Sequence, residues 1–120
     1  MRPSILPVTL LTIGCVLAKP LPLAQPVPVM VRSHNRSTVD VYLHCDGRTS
    51  WLGAVPEHGA DALEIPVAQT SCVRGFNFFL LVRRAGRGYW AGPVQPSAAG
   101  HVDLVIRRYA GLSTAQMIRD

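Results

Sequence analysis

From residue 29 to residue 106 apolar side chains recur at every second position in short runs, and Gly, Pro, Asn and Asp clusters break those runs about every ten residues. A chain written with that period buries one face of successive strands and offers no continuous stripe to a helix bundle. Val39, Val41, Leu43 and Cys45 share one side of a strand whose other side carries Asp40, Tyr42 and His44, and Asp46-Gly47 closes it as a turn. Residues 27–32, ended by Ser33-His34-Asn35, precede it as the first strand, and residues 50–55 follow as the third. Leu63, Ile65 and Val67 alternate in the fourth strand, where Pro66, lacking an N–H, marks an edge or an end. Phe76, Phe78, Leu80 and Val82 give the inward face of the fifth and most apolar strand, placed centrally, with Phe79 and Leu81 partly covered on its other side. Gly86 and Gly88 turn the chain into a sixth strand over 89–94, and Val102, Leu104 and Ile106 alternate in the seventh. No stretch shows a helical period, and residues 109–120 read as a short helix or a frayed end. The expectation is an all-β fold: an antiparallel β-sandwich of about seven strands, immunoglobulin-like, with a small barrel as the alternative.

At 120 residues, with 48% hydrophobic and 16% charged residues, the chain fits one small domain and is too apolar for a disordered tail. Its longest apolar run is too short to span a bilayer. Residues 1–18 begin with Arg2, continue with an apolar stretch over 5–17, and end in Val16-Leu17-Ala18 before Lys19-Pro20, which is the pattern of a secretory signal. Within it, Leu11-Thr12-Ile13-Gly14-Cys15 also resembles a bacterial lipobox, in which Cys15 would be lipidated. Residues 19–28 hold four prolines and read as an extended linker. The expected organisation is therefore a signal over 1–18, a linker over 19–28, a sandwich over 29–109 and a tail over 110–120.

Cys15 is either removed with the signal or lipidated, which leaves Cys45 and Cys72 as an even pair in an exported chain, and a disulfide is the natural reading. The alternative is two buried free thiols. Neither these cysteines nor His34, His44, His58 and His101 have the spacing of a zinc site, so no metal and no cofactor are expected. No nucleophile elbow, phosphate-cradling glycine loop or paired-carboxylate motif occurs, and no catalytic residue is assigned. Asn35-Arg36-Ser37 matches a glycosylation acceptor, a frequent chance occurrence. Trp51 and Trp90 read as exposed contacts or core fillers, with core filling or rim packing the safer assumption.

The chain carries a formal charge of +5, nearly all from arginine. Arg83, Arg84 and Arg87 surround the turn after the fifth strand, and Arg107 and Arg108 follow the last. If strands five to seven run up, down and up in one sheet, these residues collect on one rim beside Tyr89, Trp90 and Tyr109. Such a rim suits phosphate, sulfate or uronate groups of an envelope polymer, or lipid headgroups. The alternative is a solvated strand end whose charges guard against edge pairing.

The runs Val31-x-x-x-Asn35, Val39-Asp40-Val41-Tyr42, Leu52-Gly53-x-Val55, Ile65-Pro66 and Phe79-Leu80-Leu81-Val82 resemble a group of small exported bacterial proteins, often lipoproteins, of uncharacterised function. The likeness spans residues 29–108 and implies an envelope location and a β fold, with no catalytic residue. The chain is expected to be a non-enzymatic exported module that binds a protein or an anionic polymer of the cell envelope, in the periplasm, outside the cell or lipid-anchored. It is not expected to bind nucleic acid, and membrane contact is expected only through a signal or lipid anchor. An inhibitor of a secreted hydrolase, presenting residues 55–61 to an enzyme cleft, is the second class, and a hydrolytic enzyme the third.

Overall fold

The structure, a computed structural model, describes residues 25–119. The signal segment, the lipobox with Cys15 and the linker as far as Ala24 lie outside the described residues. Eight strands are formed: β1 (Val27–Ser33), β2 (Val39–Cys45), β3 (Arg48–Val55), β4 (Ala60–Ile65), β5 (Phe78–Arg84), β6 (Arg87–Val94), β7 (His101–Ile106) and β8 (Thr114–Ile118). A helix, α1 (Val67–Gly75), separates β4 from β5, and one turn of 3-10 helix spans Ala110–Leu112.

The strands make two open four-stranded sheets, ordered β4-β1-β7-β8 and β3-β2-β5-β6. Neither closes on itself, so the architecture is the expected all-β sandwich and not the barrel. The strand order departs from the immunoglobulin pattern, in which the first two strands share a sheet. Here β1 and β2 lie in different sheets, because residues 34–38 cross between them. β1 pairs with β7 in parallel, Val29 with Val102 through Ser33 with Ile106, while all other neighbours are antiparallel.

The alternation does what the period requires. Val27, Val29 and Val31 of β1, Val41 and Leu43 of β2, Phe78, Leu80 and Val82 of β5, and Val102, Leu104 and Ile106 of β7 are all buried between the sheets. β2 and β5 are the two inner strands of their sheet, so the central place expected for the fifth strand is observed. β4 is an edge strand and stops at Ile65, where Pro66 removes the donor that a further ladder bond would need. Pro28 is tolerated in the inner strand β1 because pairing with β7 begins one residue later, at Val29.

Three local expectations are corrected. Val67 does not continue the fourth strand; it is exposed and opens α1, whose only buried residue is Val73. Phe76 is not on the inward face of β5 either: it is 57% exposed in the link after the helix, and the buried set begins at Phe78. The residues after Tyr109 form the 3-10 turn and β8, which pairs antiparallel with β7 from His101–Ile118 to Val105–Thr114.

The two cysteines are joined. A Cys45–Cys72 disulfide ties the end of β2 to α1, with the Cα atoms 6.3 Å apart. Cys72 therefore sits in a helix and not in a loop, and Val73 beside it plugs the end of the core.

Candidate functional site

The topology decides where the arginines go. The pair Ser33–Ile106 puts the end of β7 beside the end of β1, residues 34–38 lead from there to the start of β2, and the pair Asp40–Arg83 puts the end of β5 at that same place. Arg83, Arg84, Arg87, Arg107 and Arg108 thus share one end of the sandwich, although β7 lies in the other sheet from β5 and β6 and the expected three-strand arrangement does not occur. Arg36, in the crossover, is a further exposed cation at this end.

Two clusters result. On one sheet, the Arg84 Nε donates to Ser37 Oγ at 3.3 Å, and the Arg83 guanidinium lies 5.9 Å from the Tyr42 ring centroid, within reach of a cation–π attraction. Arg87 opposes Arg84 across the hairpin and is exposed. On the other sheet, Arg107 and Arg108 join His34, Tyr109 and Leu112 around a recess of about 440 Å³. The backbone beneath is held by His34 N–H to Ile106 O at 2.7 Å, Ser33 N–H to Gly59 O at 2.7 Å and His58 N–H to Asn35 O at 3.1 Å. Asn35 itself is fully buried and fixes both arginine backbones, donating from Nδ2 to the carbonyl oxygens of Arg107 and Arg108 at 3.2 Å.

Glu57, in the turn whose His58 N–H reaches Asn35, and Asp40 are carboxylates at this same end. Among the described residues the ion pair found is Arg32 with Asp103, at 3.4 Å on the flank of the first sheet. Asp40, the carboxylate opposite Arg83, accepts from Trp51 Nε1 at 3.2 Å. Six arginines outnumber these carboxylates, and guanidinium forks match carboxylate, phosphate and sulfate geometry.

Beside this end lies an aromatic row. Trp51 and Trp90 do not fill the core: they are 59% and 53% exposed on the outward face of the second sheet. Register sets them in one row, Trp51 opposite Tyr42, Tyr42 opposite Leu81 and Leu81 opposite Trp90. Strict alternation held the signal for this. The outward positions of β2 and β5 are Asp40, Tyr42, His44, Phe79, Leu81 and Arg83, so beyond the Asp40–Arg83 pair at one end the row is apolar and aromatic where a solvated face would carry more charge.

Among the described residues, no three His, Cys, Asp or Glu side chains group as a metal site would require. No protein-family model matches the chain, and none of the curated proteins compared with it matches.

Proposed function

We propose that the protein is exported to the cell envelope and acts there as a non-enzymatic module that binds an anionic polymer through its arginine-bearing end. The observation that carries the reading is the convergence at one end of Arg36, Arg83, Arg84, Arg87, Arg107 and Arg108, with the nearby Asp40 engaged by Trp51. Guarding a sheet edge against pairing needs one or two charges on the edge strand. Arg87 opens the edge strand β6, but Arg83 and Arg84 belong to the inner strand β5, Arg107 and Arg108 follow the inner strand β7, Arg36 lies in the crossover, and a fully buried asparagine holds the backbone of two of them.

Export rests on the signal-like pattern of residues 1–18, with cleavage after Ala18, and is supported by the disulfide, a bond that persists in oxidising compartments. Among the described residues no helix is long and apolar enough to cross a membrane. The test is binding of the mature protein to polygalacturonate at rising salt. Charge pairing weakens as salt screens it, so affinity should fall steeply, and replacing Arg84, Arg87 and Arg107 together by Ser should abolish the salt-sensitive part. No binding by the parent protein at low salt overturns the reading.

A further inference from the structure

The outward face of the second sheet holds both tryptophans of the chain, and among the described residues no strand or helix packs over that face. Each makes side-chain contacts on that face. Trp51 is held through its Nε1 on Asp40. Trp90 meets His44 edge-on at 5.1 Å between centroids and Phe79 at 5.8 Å, so its indole leans across β5 toward β2. Along β6 the residues two before and two after Trp90 are Gly88 and Gly92. A Cβ at Gly88 would stand 3.0 Å from Leu81 Cδ1, and one at Gly92 3.5 Å from the Phe79 ring, so side chains there would crowd the surface beside the indole. A shallow recess of about 220 Å³ opens among His44, Phe79 and Trp90.

Trp51 and Trp90 stand on the two edge strands, three strand spacings or about 14 Å apart. Between and beside them lie hydrogen-bonding groups: Asp40 and Arg83 toward the arginine end, Thr49 and His44 on the other side of the row. His44 Nδ1 and Thr49 Oγ1 are 2.7 Å apart, which sets the imidazole.

We propose that this face is a stacking platform for the sugar rings of an acidic polysaccharide, continuous through Arg83 with the arginine-bearing end. A pyranose ring has an apolar C–H face and a polar rim, so it suits a flat, rigid indole flanked by side chains that accept or donate to hydroxyls. Rings held in advance lose little entropy on binding. Charge complementarity selects an acidic chain through the arginine-bearing end as a whole, which Arg83 joins to the platform, since at the border itself Arg83 stands opposite the carboxylate of Asp40. The inference rests on the anionic-polymer reading above and adds that the polymer is built of sugar rings.

Because the chain has only these two tryptophans, its indole fluorescence reports on the platform alone. The mature protein is titrated with polygalacturonate and, separately, with inorganic polyphosphate, which has the charge without the rings. Polygalacturonate should shift the emission, and Trp90→Ala and Trp51→Ala should each weaken it about tenfold, a loss expected of one stacked ring. Trp90→Phe should retain most of the affinity, and polyphosphate binding should be unchanged in both Trp90 variants. Retained far-ultraviolet circular dichroism shows that a variant is folded. If both polymers bind alike, with silent tryptophans and no loss in the variants, the platform is overturned while the charge reading stands. If neither polymer binds, both fall. An emission shift that follows protein concentration without ligand, with dimers in sedimentation, overturns the platform in favour of a second copy of this chain.

Discussion

The side-chain amide of Asn35 hydrogen bonds the backbone of Arg107, 72 residues further along the chain, at 3.2 Å. It reaches the Arg108 carbonyl as well, while its Oδ1 accepts from the Ser37 N–H at 3.1 Å. One buried residue thereby fixes the crossover between the sheets and the exit of β7. Asn35→Ala leaves two part-buried carbonyls without this donor and should cost about 1–3 kcal/mol in chemical denaturation. Asn35→Asp should cost more, since a carboxylate would face those same oxygens. The buried amide is also closed to glycosylation, so the Asn35-Arg36-Ser37 acceptor should stay unmodified in the folded protein when it is expressed through a eukaryotic secretory pathway.

The disulfide closes a stretch with a sequence separation of 27. In the chain-entropy argument a loop of that length contributes about 3.5 kcal/mol by restricting the unfolded chain. A Cys45→Ser, Cys72→Ser double variant should lose about that much in a urea titration, a large share of the roughly 5–15 kcal/mol of a small domain. α1 should loosen first, because Val73 is then its only buried anchor.

Gly100 enters β7 with φ +102°, and a Cβ there would collide with the Ile118 carbonyl and stand 3.0 Å from Arg119 Cα. Gly100→Ala should destabilise the protein by about 2 kcal/mol through backbone strain. The loss should be local. Amide hydrogen exchange should accelerate over β8 while β2 and β5 keep their protection, and uniform protection across β8 would show that the strand does not depend on this approach.

Much of this architecture is legible from residue order because β-alternation is a local signal. The buried faces of β1, β2 and β7 follow from it, the edge or end of β4 follows from Pro66, and the cysteine pair follows from its even count in a chain read as exported. α1 escapes because it buries a single side chain, Val73, and so presents no apolar period, although Pro66 before it and Gly75 at its end punctuate it. β8 escapes because Thr114 and Gln116 are exposed and its other residues only half-buried, so an edge strand leaves a weak pattern. The rim and the aromatic row are non-local. They exist because crossovers and register bring distant strands together, and the exposed tryptophans carry the same letters as buried ones.

The most direct test locates the ligand on the molecule. The ¹⁵N-labelled mature protein is titrated with polygalacturonate oligomers while the indole N–H signals of Trp51 and Trp90 and the side-chain Nε–H signals of the arginines are followed. The account predicts shifts at both indoles and at Arg83, Arg84, Arg87, Arg107 and Arg108, with Arg48, Arg74 and Arg119 at the opposite end unmoved. Shifts confined to that opposite end, or none at low salt, would contradict it.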